Sequence, residues 1–303
     1  MRSTLVQLAM QALGARVRAM TGSTGNLDDF AVPKGDRGLF GPDSVTWRVH
    51  ANFTAMMVGG LSSLVVQSLH PRALAAVWDH SDFRHKLKER LGRTAYFVAA
   101  TTYGSEAMAM HAIHRVNTIH ANIRGTDLDG VPYIANEPGL IRWVHLAEVS
   151  SFLNAYQHLA KQPLTPSECD QYIGEMRRVG HLLGALDLPL TWQSTQDALR
   201  GYSSDLRFDV RAREILRVVE NYPTDLIDRP FMVLILQAAW DVMPAWVLQH
   251  IEKQPTCGLQ AHATKIALQV AAEPIQWMLD QQGVCALARQ RVDVARSGLF
   301  EMA

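Results

Sequence analysis

The chain has 303 residues, of which 48% are hydrophobic and 19% are charged, and its 29 basic and 29 acidic residues give a formal net charge of zero. This length is sufficient for one large domain with a sizeable core. The balanced charge excludes the electrostatic footprint of a nucleic-acid-binding protein, and no basic run marks an anionic membrane surface.

The cysteine pattern bears on the compartment. Cys169, Cys257 and Cys285 lie far apart, without a CxxC or other zinc-binding spacing. An odd and sparse count is typical of a reducing compartment, so we expect a cytoplasmic protein without a cysteine-based metal site.

The N-terminal stretch, "MRSTLVQLAMQALGARVRAM", carries three arginines and no acid. We interpret it as an amphipathic first helix, with a weak signal peptide as the alternative. The longest apolar stretch elsewhere, "FTAMMVGGLSSLVVQ", contains two glycines and two serines and is too short to span a bilayer. We therefore expect no transmembrane segment.

Helical spacing punctuated by glycine and proline recurs along the chain, and neither persistent strand alternation nor a repeat is visible. The first predicted helix spans 3–20 and is followed by a polar linker. The second begins after Asp43 or Ser44, both good N-caps, and ends at Gly59–Gly60; the third ends at His70. Further helices are predicted over 71–79, 82–103, 105–124, 138–161, 166–184, 193–201, 206–221, 229–253 and 259–300, the last broken at Pro274 and near Gly283.

These elements predict an all-α fold, a single globular multi-helix bundle. Residues 1–40 would form an N-terminal helix and linker, and residues 41–303 the helical functional domain. The segment "RGTDLDGVPYIANEPG" (124–139) interrupts the helices as a long loop. A loop of this length in a compact fold is either functional or a plain surface excursion, and the sequence leaves both open.

One histidine stands where the helical pattern calls for an apolar residue. In the predicted helix 105–124 a single stripe is formed by Ala109, Ile113, Val116, His120 and Ile123. His111 and His114 fall outside the stripe. A buried imidazole needs a partner. His120 is therefore either a core histidine bonded to a backbone carbonyl or an axial ligand to haem iron.

The preceding helix carries Arg90 and Thr94 on one face, four residues apart. Arg90 could bind a carboxylate, such as a haem propionate, through two parallel hydrogen bonds. The alternative is a solvated arginine, because its neighbours are the charged residues Arg84, Lys86, Lys88, Glu89 and Arg93.

Several stretches occur in a specific order along the chain. They are "GPDSVTWRVHAN" (41–52), "LVVQSLHPRALAAVWDHSDF" (64–83), "RLGRT" (90–94), "RVNTIHANIRGTDLDGVPYIANEP" (115–138) and "IRWVHLAEV" (141–149). This ordered set resembles the mpaB-type oxygenase family, which includes the latex-clearing rubber oxygenases, over about residues 41–250. The resemblance implies an all-helical bundle that encloses one non-covalently bound b-type haem.

The resemblance also implies residue roles. His120, in "IHANIRG", would be the proximal iron ligand and the metal ligand of the chain. Arg90 and Thr94, in "RLGRT", match the family's Arg-x-x-x-Thr element beside the haem. His70 and His145 lie in family motifs and are candidate catalytic residues, each with a helix-terminal or core histidine as the alternative; the case for His50 is weaker.

The chain departs from the family pattern in one loop. The typical "YSAFDP" is "YIANEP" here, with Asn136 and Glu137 in place of an aromatic residue and an aspartate. The distal lysine and the active-site carboxylate of the rubber oxygenases have no assigned counterpart in this sequence. We expect the substrate cavity to be shaped by residues 126–139 and by the C-terminal third.

The predicted function is a haem b-dependent oxygenase that acts with dioxygen on a hydrophobic small molecule, isoprenoid-like or aromatic, with oxidative cleavage of a C=C bond as one outcome. The alternative is a non-catalytic haem carrier or sensor that uses the same His120. A di-iron enzyme would need paired Glu-x-x-His elements, which the sequence lacks, and a hydrolase would need motifs that are also missing. The sequence does not predict the oligomeric state.

Overall fold

A computed structural model describes the backbone of residues 2–22 and 25–300 and the side chains of residues 7–22 and 25–293. Helices dominate it. They are α1 Arg2–Thr21, α2 Val45–His50, α3 Phe53–Gln67, α4 Pro71–His80, α5 Leu87–Tyr103, α6 Glu106–Ala121, α7 Pro138–Leu159, α8 Pro166–Leu182, α9 Trp192–Gly201, α10 Val210–Glu220, α11 Arg229–Asp241, α12 Ala245–His250, α13 Gly258–Gln282 and α14 Val284–Phe300. The predicted all-α class is confirmed.

The boundary between the second and third helices differs from the predicted one, because α2 ends at His50 and α3 begins at Phe53. Ser44 caps α2 by accepting from the Trp47 N–H, and Asn52 caps α3 by accepting from the Ala55 N–H. The predicted break at Gly59–Gly60 is wrong, because α3 continues through both glycines. A Cβ on Gly59 would lie 2.7 Å from the Phe152 ring, so this glycine allows the close approach of two helices.

The centre of the fold is the pair of helices α3 and α7, which pack along their lengths. Both bury apolar residues on most of their surface, including Val58, Leu61, Leu146 and Leu153. Burial on all sides is typical of a central helix in a large bundle, and it places every other helix at the periphery of this pair.

The predicted loop at 124–139 contains a small antiparallel hairpin, formed by β1 Arg124–Thr126 and β2 Pro132–Ile134. The expectation of no strands is therefore wrong at this point, because strands of three residues are too short to show alternation. The hairpin is held to α4. The Tyr133 hydroxyl donates to Asp79 Oδ2 at 2.9 Å, and Arg72 donates to the Pro132 carbonyl at 2.9 Å and also binds Glu137.

Of three predictions about helix ends in the second half of the chain, two are wrong and one is confirmed. The predicted helix 229–253 is two helices, α11 and α12, separated before Pro244. The predicted break at Pro274 is wrong, because α13 continues through this exposed proline. The predicted break near Gly283 is confirmed, since α13 ends at Gln282 and α14 begins at Val284.

In residues 2–22 and 25–300, no single helix has the length and apolar character needed to cross a bilayer. One pair, α3 with α4, meets the length and composition criteria together, and the two helices are bent by 105°.

Candidate functional site

The hairpin of α5 and α6 brings Arg90 and His120 to the same end of the bundle. The two helices pack against each other on either side of the turn at Gly104 and Ser105, and the Ser105 hydroxyl caps α6 by accepting from the Met108 N–H. Arg90 lies fourteen residues before Gly104, and His120 lies fifteen residues after Ser105. In an antiparallel pair these nearly equal separations place both residues at the open end of the hairpin, about 21 Å from its turn.

His120 is half-buried, and its stripe becomes less buried towards the open end. Ala109 and Ile113 are fully buried, whereas Val116 and His120 are partly exposed. The Nδ1 atom of His120 is buried and has no hydrogen-bond partner among the described residues. Burial lowers the pKa of the His120 imidazole, so the ring is neutral near pH 7.

Arg90 lies against an apolar cavity. The cavity is a narrow space without room for a water molecule, and its lining consists of Leu64, Val77, Phe83, Leu87, Arg90, Ile215, Val218 and Val219. Arg90 donates from Nη1 to the Ser81 hydroxyl at 3.0 Å. Burial, followed by repulsion from Arg93, lowers the pKa of the guanidinium to about 10, and no described carboxylate contributes to that pKa. Arg90 is therefore partly buried rather than fully solvated.

Thr94 lies one turn further along α5 and is exposed. Its hydroxyl donates to the Arg90 carbonyl at 3.3 Å, as threonine commonly does within a helix. The shared face that the sequence predicts for Arg90 and Thr94 therefore exists, although Thr94 does not line the Arg90 cavity.

His70 is the N-cap residue of α4 and is buried, without a side-chain capping bond. Its ring centroid lies 5.9 Å from that of Trp143 and 6.3 Å from that of Tyr202. Its Nδ1 has no hydrogen-bond partner among the described residues. Burial and then the nearby Arg72 lower the pKa of His70. His70 resembles His120 in this respect, and neither histidine lines the Arg90 cavity.

His145 lines a second small cavity, of about 10 Å³, between α7, α8 and α9. Burial and then repulsion from His181 lower the pKa of His145 to about 4. The same cavity is lined by Arg177, whose buried Nε has no partner among the described residues. The two cavities have no lining residue in common, so the structure separates His145 from Arg90.

His50 is fully engaged in a buried network. Its Nδ1 lies 2.7 Å from the Thr102 hydroxyl and its Nε2 lies 3.0 Å from the Tyr172 hydroxyl. Burial lowers the pKa of His50 to about 3. Glu148, near Tyr172, has its pKa raised to about 7 by burial. Both ring nitrogens of His50 are satisfied within the protein, which is what a structural histidine requires.

Sequence reasoning missed several residues of these cavities. Phe83, Ser81 and Arg177 carry no local signal, because an isolated aromatic, hydroxyl or basic residue is common on any helical protein. Residues 126–139, which we expected to shape the substrate cavity, do not line the Arg90 cavity. The expected contribution of the C-terminal third is present there, through Ile215, Val218 and Val219 of α10.

The comparison with protein families identifies the chain. A family model described as "ER-bound oxygenase mpaB/B'/Rubber oxygenase, catalytic domain" matches residues 47–272, which is more than half of the chain. The all-α protein therefore belongs to the class of oxygenase enzymes. Within that class it is a member of the mpaB/rubber oxygenase family, and such an enzyme takes dioxygen and a small-molecule substrate. Searches of the curated proteins and of the solved structures returned no match.

Proposed function

We propose that this protein is a haem b-dependent oxygenase that oxidises a hydrophobic small molecule, isoprenoid-like or aromatic, at the open end of the α5–α6 hairpin. In this proposal His120 binds the haem iron, Arg90 binds a haem propionate, and Thr94 lies beside them. The observation that carries the proposal is the pair of unsatisfied groups at that end: a desolvated guanidinium without a carboxylate and an imidazole nitrogen without a partner.

The chemistry of these residues fits a haem group. A neutral imidazole on an apolar helix face is the usual proximal ligand of haem iron. A guanidinium buried without an anion lowers the stability of the protein, because its solvation by water is lost and no counterion replaces it. A propionate would restore that counterion through two parallel hydrogen bonds, which a guanidinium forms better than an ammonium group.

The space beside Arg90 is smaller than a macrocycle requires. It has no room for even one water molecule, whereas ordinary small-molecule pockets have volumes of ~300–1,000 Å³. The proposal therefore requires this cavity to widen when haem binds. Two of its walls, α4 and α10, are linked by the Asp79–Arg211 salt bridge at 3.7 Å, which would have to yield if these helices separate.

Haem, when bound, would supply the activation of dioxygen and its transfer to the substrate. The chain's residues contribute the surroundings. The apolar walls exclude water and favour a hydrophobic substrate. The low pKa of His120 keeps the imidazole neutral and able to bind a metal. By the resemblance to rubber oxygenases, oxidative cleavage of a C=C bond is the reaction we propose. The predicted catalytic roles of His70 and His145 carry no part of this proposal, because neither residue lies on the α5–α6 hairpin.

The test is haem reconstitution of purified protein, read by a pyridine haemochrome assay and an optical spectrum. We expect about one haem per wild-type chain and less than about a tenth of that for His120→Ala. The matched control is His114→Ala, which removes an exposed histidine of the same helix and should leave haem loading unchanged.

The spectrum distinguishes the outcomes. A five-coordinate ferrous form that binds dioxygen supports the oxygenase. A six-coordinate spectrum with two histidine ligands would instead favour a haem carrier or sensor, because it leaves dioxygen no open position. Equal haem loading of His120→Ala and wild type would overturn the assignment of the ligand.

A further inference from the structure

The N-terminal helix α1 is attached to the bundle along a narrow line. Between residues 7 and 22 only Met10 and Met20 are buried, and most of the other side chains are exposed. Helix α3, at the centre of the fold, is by contrast buried over most of its surface. Elements with few buried apolar contacts open locally at the lowest free energy. Helix α1 is therefore suited to leave the bundle while the other helices stay folded.

The C-terminal end of α1 is hydrogen-bonded to the α10 wall of the Arg90 cavity. The Tyr222 hydroxyl donates to the Met20 carbonyl at 2.6 Å. The backbone N–H of Tyr222 donates to the carbonyl of Val219, which lines the cavity, at 3.1 Å. The last carbonyls of a helix have no donor within the helix itself. Tyr222 therefore supplies a partner that the end of α1 lacks on its own.

The same end of α1 packs backbone against backbone on the α5 wall. Gly22 has a φ of +68°, and a Cβ on it would overlap the Lys88 carbonyl. A Cβ on Gly92, one turn further along α5, would overlap the Gly22 carbonyl. Lys88 directly follows the cavity residue Leu87. These two glycines therefore allow a contact between α1 and the α5 wall that a side chain at either position would prevent.

An ion pair attaches α1 to the segment that follows α10. Arg16 donates from Nε to Asp228 Oδ1 at 3.0 Å, and the Asp228 side chain is buried. Asp228 is the N-cap residue of α11. Residues 16–22, which we call the strap, therefore bridge two walls of the cavity, α5 on one side and the end of α10 on the other.

The walls that the strap joins lie within the residues that match the family model, and the strap does not. The lining residues fall between Leu64 and Val219, inside the matched range 47–272, whereas α1 ends at Thr21. The cavity has no room for a water molecule, so a ligand can enter only if the walls part. We propose that α1 closes the Arg90 cavity while the strap is attached, and that release of the strap lets α10 move away from α5 and admits an apolar ligand.

The attachments of α10 determine how it would move. The Asp79–Arg211 salt bridge holds its N-terminal end to α4, and the strap holds the segment just after its C-terminal end. Release of the strap therefore frees one end of α10 and leaves the other attached. The cavity residues of this helix, Ile215, Val218 and Val219, all lie towards the freed end.

The test measures the accessibility of Val219, which is 1% exposed. Val219→Cys is placed in a chain with Cys257→Ser, which removes an exposed thiol, and its alkylation by iodoacetamide is timed. Gly92→Ala should release the strap, because its methyl group would overlap the Gly22 carbonyl. The matched control is Gly174→Ala, at another helical glycine, where a methyl group meets no atom within 4 Å.

We expect the introduced thiol to react at least about tenfold faster with Gly92→Ala than with Gly174→Ala. Tyr222→Phe removes one hydrogen bond of the strap and should accelerate the reaction about 3- to 10-fold. Hydrogen exchange of the amides of residues 10–22 should rise in the same order. Rates at several low urea concentrations separate release of the strap, which depends weakly on urea, from global unfolding.

Equal alkylation rates for Gly92→Ala and Gly174→Ala would show that α1 is a permanent part of the cavity wall, and the proposal would then be wrong. An acceleration that follows global unfolding would lead to the same conclusion. Circular dichroism checks the helical content of each variant. If Gly92→Ala has lost helical content, the comparison of Tyr222→Phe with wild type decides.

This inference rests on the proposed function only in taking haem as the ligand that enters, and haem association distinguishes the two. Haem should bind faster to Gly92→Ala than to Gly174→Ala by a factor close to that of alkylation. Faster alkylation with an unchanged haem rate supports the strap and contradicts the proposed haem site. If wild type binds no haem, the proposed function is wrong and the alkylation rates alone decide whether α1 closes the cavity.

Discussion

The two ends of the α5–α6 hairpin differ in how the histidine and arginine side chains buried there are hydrogen-bonded. At the turn end, His50 is hydrogen-bonded through both ring nitrogens. The buried Arg291 there donates to three carbonyls, those of Asp36, Phe30 and Gly104, at 2.8, 2.8 and 3.2 Å. Each of the three guanidinium nitrogens of Arg291 and both ring nitrogens of His50 have a partner within the protein, and the Arg291 bonds tie the linker before α2 and helix α14 to the hairpin.

At the open end, Arg90 has a serine hydroxyl and no carboxylate, and His120 Nδ1 has no partner among the described residues. Buried polar groups in native proteins are normally satisfied, so an unsatisfied pair needs an explanation. A satisfied network holds the fold together, and an unsatisfied one indicates where a ligand completes it. Replacing a buried arginine should therefore change the stability of the protein in opposite directions at the two ends.

The largest effect on stability is expected at the turn end. Arg291→Ala leaves three buried carbonyls without a donor and a space behind them, so it should lower the free energy of unfolding by about 3–5 kcal/mol. Urea denaturation measures this loss. Arg289→Ala, which removes an exposed arginine of the same helix, should cost less than about 1 kcal/mol. Similar losses for the two variants would contradict the structural role of Arg291.

At the open end, Arg90→Met should raise rather than lower the free energy of unfolding of the protein without haem. It removes a desolvated cation and keeps the volume of the side chain, so stability should rise by about 1 kcal/mol. Haem affinity should fall about 10- to 100-fold, because a propionate loses a paired guanidinium. Denaturation and haem titration give the two values, with the exposed Arg93→Met as the control. A loss of stability as large as that of Arg291→Ala would show that Arg90 is structural.

A smaller effect is expected from pH. Burial lowers the pKa of His50 to about 3, below its usual 6.5, so the unfolded chain binds a proton that the folded chain does not. The stability from His50 is complete above pH 6.5 and falls by up to about 1.4 kcal/mol per pH unit as the pH drops below it. His145, at about 4, acts in the same direction, and Glu148, at about 7, acts in the opposite one.

The contribution of His50 is isolated by comparing two variants. Unfolding free energies of wild type and His50→Gln are measured between pH 7.5 and pH 5, and their slopes are subtracted. The difference should correspond to about one proton taken up on unfolding, since His145 and Glu148 are common to both proteins. Identical slopes would mean that His50 is accessible to protons in the folded state.

The helices were predictable from periodicity because most are amphipathic, and their ends were predictable where a capping residue or a proline fixes them. Ser44 and Gly283 are examples. Gly59 was misread, because a glycine that ends a helix and one that lets Phe152 approach look identical in sequence. Pro274 was misread because it lies on the exposed face, where water can replace the missing backbone hydrogen bond.

The open end was partly predictable. The stripe of α6 identified His120, and the position of Arg90 on α5 identified its neighbour along the hairpin. The sequence could not distinguish a solvated Arg90 from a buried one, because that depends on Phe83 and on α10, which is more than a hundred residues away. The separation of His145 from Arg90 likewise depends on the packing of α8 and α9, which no local pattern specifies.

The attachment of the β1–β2 hairpin to α4 has a mechanical consequence. β1 follows directly from the His120 end of α6, and α4 contributes Val77 to the cavity wall. Tyr133 and Arg72 join these pieces, so the His120 end of α6 is tied to one wall of the cavity. Arg211 of α10 forms a salt bridge with the same Asp79 at 3.7 Å, so a single carboxylate couples the hairpin to two walls of the cavity, and a guest that separates α4 from α10 would disturb the strand that follows His120.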